Sequence, residues 1–111
     1  GEYIPLEARG PRARHIVAFA RRAGGEAAIA VAARFFLSLR LEAPGRDDLV
    51  HPVGGEVWGD TALALGPLGA GRWRDALTGR EVAARDDGGG ATVALAHAFA
   101  DLPLALLERL P

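Results

Sequence analysis

Two tryptophans, each heading a run of alternating side chains, constrain this chain more than anything else in it. Trp58-Gly59-Asp60-Thr61-Ala62-Leu63-Ala64-Leu65 sends Thr61, Leu63 and Leu65 to one side and Asp60, Ala62 and Ala64 to the other. A half-buried strand requires that period of two, because successive Cβ atoms leave opposite faces of the pleat. Trp73-Arg74-Asp75-Ala76-Leu77-Thr78-Gly79-Arg80-Glu81-Val82 alternates too, reaches Thr78-Gly79 and resumes at Val82. For Leu77 and Val82 to share a buried face, the four residues 78–81 must lie between them. That predicts a loop with a glycine at positive φ rather than the tightest two-residue turn.

The rest of the chain is punctuated in the same way. Residues 2–8 read as an edge strand, since Pro5 lies inside it and a sheet tolerates proline mainly at its edge. Gly10-Pro11 ends it. From His15 to Ala20, Ile16, Ala18 and Ala20 oppose Val17 and Phe19, so both faces are apolar. Such a strand is expected to be covered on both sides, in a sandwich or at a domain contact. Arg21-Arg22-Ala23-Gly24-Gly25 reads as the turn that follows. Residues 26–40 are ambiguous: Glu26 to Leu37 is rich in helix formers, and Ile29, Ala33, Phe36 and Leu37 fall at helical spacing. Gly24-Gly25 suits a hairpin instead. Residues 42–56, with Asp47-Asp48, read as a surface loop long enough to suggest a contact.

Further on, Gly66 to Gly71 is a linker and Asp86 to Gly90 a hairpin tip. Ala91 to Leu95 is a strand, His97 to Asp101 one helical turn, and Leu102 to Leu107 a closing strand or docked tail. Short strands between Gly/Pro turns predict an all-β fold, an antiparallel β-sandwich of about six to eight strands with room for one or two short helical turns.

With 111 residues, 50% of them hydrophobic, the chain suffices for one domain with its own core. Cysteine is absent, which removes disulfide frameworks and thiolate zinc sites and fits a reducing, cytoplasmic setting. No apolar run approaches the ~20 residues that span a bilayer, and no signal-peptide pattern opens the chain. A membrane partner is therefore not expected. The first residue is Gly1 rather than methionine, in agreement with a piece of something longer. All 13 basic residues are arginine and the net charge is −1. GC-rich coding explains that bias, and a near-neutral chain without a basic stripe is a poor nucleic-acid binder.

Chemistry-bearing residues are sparse. His15, His51 and His97 lie in three different elements, and none has a second histidine at helical metal spacing. His51 shares a loop with Asp47, Asp48 and Glu56, which reads as solvated loop charge; no metal and no cofactor is expected. Asp60 and Asp75, each two residues after a tryptophan, are the tempting carboxylate pair. Glycosidic chemistry needs such a pair in a cleft that raises one pKa. Two aspartates on the exposed face of a small sandwich offer none, so both are read as turn or strand-edge residues that satisfy backbone N–H groups. Ser38, the only serine, lies in no nucleophile elbow. Gly88-Gly89-Gly90 is no phosphate loop, since the chain has no lysine. Trp58 and Trp73 are the candidate carbohydrate contacts, because aromatic faces stack on pyranose rings; core or interface burial is the favoured reading. No catalytic residue is assigned.

The two tryptophan segments resemble the C-terminal β domain of maltooligosyl trehalose synthase, in glycoside hydrolase family thirteen of the α-amylase superfamily. So do Gly1-Glu2-Tyr3-Ile4-Pro5-Leu6, His15-Ile16-Val17-Ala18-Phe19-Ala20-Arg21 and Phe99-Ala100-Asp101-Leu102-Pro103-Leu104-Ala105-Leu106-Leu107. The resemblance implies a strand over 26–33, then a short helical or irregular turn through Leu39, although alanines stand where relatives tend to carry β-branched residues. It also implies that residues 1–111 are an accessory domain. The family's chemistry sits in a (β/α)8 barrel with a carboxylate nucleophile, an acid/base and a further aspartate, and such a barrel needs roughly 250 residues. The implied partners are that barrel and, through it, a maltooligosaccharide. The parent would be an intramolecular transglucosylase, an isomerase of trehalose biosynthesis, and this domain inactive alone. Two other readings stand beside it: an independent carbohydrate-binding module using Trp58 or Trp73, and an unrelated α-rich enzyme or helical interaction domain. Without its barrel the domain is expected to self-associate.

Overall fold

A computed structural model describes residues 2–34, 55–86 and 88–111. The expected turn through Leu39, most of the 42–56 loop, Ser38 and His51 fall outside the described residues. Nine strands are present among the described residues, joined in one antiparallel sheet that almost closes on itself. They are β1 (Glu2–Leu6), β2 (Ala8–Arg9), β3 (Ile16–Ala23), β4 (Glu26–Ala33), β5 (Ala62–Ala64), β6 (Gly71–Asp75), β7 (Glu81–Asp86), β8 (Ala91–Ala94) and β9 (Leu104–Arg109). Two helical turns, α1 (Gly55–Trp58) and α2 (Leu95–Ala98), pack against one another.

The strand order β1-β3-β4-β9-β6-β7-β8-β5-β2 begins and ends with strands that are neighbours in sequence. Only Glu7 separates β1 from β2. One half of this bent strand pairs with β3 and the other with β5, and the Glu7 carbonyl accepts from the Ala64 N–H at 2.8 Å. Strand β7 turns the opposite corner, Glu81 to Ala84 pairing with β6 and Arg85-Asp86 with β8. The expected sandwich is thus drawn toward a barrel by two corner strands, which leaves little open edge to manage. Pro5 lies in β1, the first strand of the sheet order, opposite Phe19.

The alanine-rich run is a strand. In β4, Ala27, Ile29 and Val31 are buried and alternate with half-buried Ala28, Ala30 and Ala32. Pairing with β3 on one side and β9 on the other overrides the run's helix propensity. Gly24-Gly25 joins Ala23 to Glu26, and Gly24 has φ +59, the first central position where a II′ hairpin turn calls for glycine. Arg21 and Arg22 therefore belong to β3 rather than to the turn.

Inside, Trp58, Trp73, Phe99, Ile29, Leu63, Leu65, Leu95 and Leu107 are fully buried. Thr61, Leu63 and Leu65 face inward as the alternation predicts, but Trp58 ends α1 instead of opening a strand. It meets Phe99 edge-on at 5.1 Å between ring centroids. The hairpin after β6 carries Gly79 at φ +77, as predicted. Leu77 does not share the buried face with Val82, however. It lies at the tip of the four-residue loop 76–79, closed by Asp75 and Arg80, and points outward. Gly10, at φ +110, passes so close to β5 that a Cβ there would meet the Thr61 Cα at 2.8 Å.

Candidate functional site

Alternation along β3 and β9 turns a second set of apolar side chains outward. Phe19 is opposite Ala30, and Ala30 opposite Leu106; one pair along, Val17 is opposite Ala32, and Ala32 opposite Leu104. The larger side chains of β3 and β9 form two walls, and the alanines of β4 form the floor between them. Leu77 adds to the lining from the β6–β7 loop, giving a groove of about 310 Å³. Its large side chains run from 39% exposed at Leu106 to 49% at Leu77. The strand expected to be covered on both sides is covered on its inner side, while Val17 and Phe19 remain about half exposed (48% and 47%).

Farther toward the Gly24-Gly25 hairpin, the same face becomes charged. Arg21, Ala28 and Glu108 lie in register, with Arg74 beyond Glu108. A second, wider depression of about 560 Å³ is lined here by Arg21, Ala23, Glu26, Ala27, Ala28, Glu108 and Arg109. Two arginines and two glutamates balance, so it has no strong pull on an ion of either sign. Tyr3 bridges the two zones, its ring 6.3 Å from Phe19 and 5.7 Å from the Arg21 guanidinium.

The residues singled out from sequence do not converge. Asp75 is buried, 2% exposed, contrary to its expected place on an open face. Its Oδ1 accepts from the N–H of Leu77 at 3.0 Å and of Leu106 at 3.2 Å. That bears out the expected service to backbone N–H groups, and it fixes two residues of the groove lining. Asp60 is exposed, in the turn between α1 and β5, and β7 and β8 separate β5 from the β6 strand of Asp75 in the sheet order. His15 is buried at the end of a 3-10 turn, and His97 is exposed on α2. Burial pushes the His15 pKa below its ordinary value, and the Arg14 guanidinium adds to that. Among the described residues no three His, Asp or Glu side chains are grouped to hold a metal.

Both indoles are 0% exposed. The Trp73 ring lies under Arg109, whose guanidinium carbon is 5.0 Å from the ring centroid and whose Nη2 donates to the Leu68 carbonyl. Trp73 Nε1–H has no acceptor among the described residues, so packing and the cation hold this ring. Neither ring presents a face to solvent. The sequence reading missed Leu77 and the alanine floor as outward groups. The signal for the floor is present over residues 28–32, where Ala28, Ala30 and Ala32 alternate with Ile29 and Val31.

No family model matches the chain. Proteins of two Mycobacterium tuberculosis strains, assigned as maltooligosyl trehalose synthases, are 37% identical over 109 residues, which is 98% of this chain and 11% of theirs. Maltooligosyltrehalose synthase from Arthrobacter ramosus, solved with and without a point substitution, matches 97% of this chain and 11% of its own at 36% identity and a TM-score of 0.62. The chain is therefore a homologue of one segment of maltooligosyl trehalose synthase and spans about a tenth of that enzyme's length.

Proposed function

With that homology as premise, we propose that residues 1–111 serve as the C-terminal accessory domain of a maltooligosyl trehalose synthase, with the chemistry carried elsewhere in the polypeptide. The observation that carries this reading is the end-to-end match to a small part of a much longer enzyme. The parent would turn the reducing-end α-1,4 linkage of a maltooligosaccharide into an α,α-1,1 linkage, in the cytoplasm, as a member of glycoside hydrolase family thirteen. The domain's own part is structural. Asp75 is spent on backbone N–H groups and Asp60 leads into β5, which two strands separate from β6 in the sheet order, so the only carboxylate pair suggested by the sequence is not assembled for acid/base work.

The test compares the chain alone with the parent polypeptide, with and without this domain, on maltoheptaose. The chain alone is expected to yield no trehalose-terminated product and no change in tryptophan fluorescence on titration. The truncated parent is expected to lose soluble, active enzyme. Product from the pure chain, lost in Asp60→Asn, would overturn the reading. A saturable fluorescence change would favour a carbohydrate-binding module instead.

A further inference from the structure

We propose that the alanine-floored groove between β3 and β9 seats an apolar ridge, one helix wide, from the parent polypeptide outside residues 1–111. The inference rests on the accessory-domain reading and names the face through which that domain docks. Its first support is shape. Strands β3 and β9 flank β4, so the walls stand two strand spacings apart, about 9–10 Å, close to the ~10–12 Å diameter of a helix with its side chains. Alanine at positions 30 and 32 lets such an element come close to the sheet.

The second support is the way polarity is laid out. Apolar groups fill the groove, and Arg21 and Glu108 stand at its end, the arrangement of an interface core with a polar rim. The third concerns what is available to fill it. The matched segment is 11% of its relatives' length, so the rest of such a polypeptide is covalently at hand. Strand β1 is the outer edge of this same sheet and pairs with the β3 wall. Glu2 opens β1 opposite Arg22, so a chain joined ahead of it starts at the charged end of the groove.

Thiol labelling tests this, since the chain has no cysteine of its own. Ala30→Cys, with Ala32→Cys as a second probe, is reacted with a maleimide in the dilute chain and in the parent. Arg85→Cys on β7 is the control, and the modified peptides are quantified by mass spectrometry. The groove cysteines are expected to react more slowly in the parent by a factor on the order of ten or more, with the control unchanged. Equal rates in both forms would overturn docking through this face and leave the accessory-domain reading intact. Protection already present in the dilute chain would assign the groove to the chain's own residues. Protection of the parent that is lost on dilution would assign it to a second copy. Either result overturns the proposal. An intact mass of 11.6 kDa for the native protein, read before any labelling, would remove the parent and overturn both readings.

Discussion

The outward surfaces of β3-β4-β9 and of β6-β7 belong to one sheet, yet they are built for different surroundings. Beneath both, the inward positions are alike: Ile29, Val31 and Leu107 on one side, Trp73 and Val82 on the other, all buried. Outward, β6 and β7 show Arg72, Arg74, Glu81 and Arg85, with Arg72 and Glu81 3.7 Å apart. Strands β3 and β9 show Val17, Phe19, Leu104 and Leu106 instead. An exposed ion pair contributes little stability, so the charged half is marked by its compatibility with water. The apolar half lacks that compatibility. The difference lies in what each half is built to meet, while the core beneath them is shared.

A shared core predicts the largest effects, which should not tell the halves apart. Trp73→Ala under the charged half should cost about 3–5 kcal/mol, and Ile29→Ala under the apolar half about 2–5 kcal/mol. Both variants should still unfold in one transition, followed by denaturant titration with two probes. Two separated transitions in either variant would break the comparison, since the halves would then be separate folding units.

The seam between the halves comes next. Asp75 sits on β6, and its carboxylate holds the Leu77 N–H of its own loop and the Leu106 N–H of β9. Asp75→Ala leaves both without that acceptor and should cost about 2–4 kcal/mol. Asp75→Asn keeps an acceptor oxygen and should recover much of the loss. If the two substitutions are equally harmful, charge rather than hydrogen bonding makes the seam.

The sequence made one half of this comparison easier to read than the other. Alternation alone placed Thr61, Leu63 and Leu65 inward, and it marked β3 as apolar on both faces. It could not say whether the outer face is covered, because a covered and an uncovered strand have the same pattern. For Leu77 the period of two fails, because the loop 76–79 interrupts the strand and turns that side chain outward. Alternation also carries Trp58 onto the strand, since the one-turn helix it ends is too short to show a period. In β4 propensity and fold disagree, and the strand was legible through family resemblance rather than through the alanines themselves. The corner at Glu7 left no readable mark, since one residue bends the strand.

Acidification should weaken the neighbourhood where the 3-10 turn Ala13–His15 leads into β3. Buried His15 accepts from the Arg14 Nε–H at Nε2, 3.3 Å away, and a protonated ring cannot accept. Its pKa is lowered in the fold, by burial first and by Arg14 next, while in the unfolded chain it is near 6.5. Above about 6.5 both states are neutral and the stability is fully present. As pH falls below that value, the unfolded chain takes up the proton first. Stability then declines until the pH passes the lowered folded pKa. Chemical denaturation between neutral and mildly acid pH should show this slope, and His15→Gln should flatten it. An unchanged slope in the variant would assign the effect to the carboxylates.

The smallest effect on stability should come from the feature that most separates the two halves. Leu104→Lys places a charge on the groove wall and Arg85→Ala removes one from the charged half. As surface changes, each should move the folding free energy by no more than about 0.5 kcal/mol. Self-association should tell them apart. The bare groove favours contact between chains, but two concave, alanine-floored surfaces cannot fill one another, and unfilled space forfeits dispersion contacts. Association must also offset the lost freedom of the partners. The chain is therefore expected to associate weakly, visible by sedimentation at millimolar concentration and absent at micromolar. Leu104→Lys should abolish it and Arg85→Ala should leave it unchanged. A chain that stays monomeric at millimolar concentration would show that the apolar half tolerates water as well as the charged half does, and the contrast between them would lose its physical meaning.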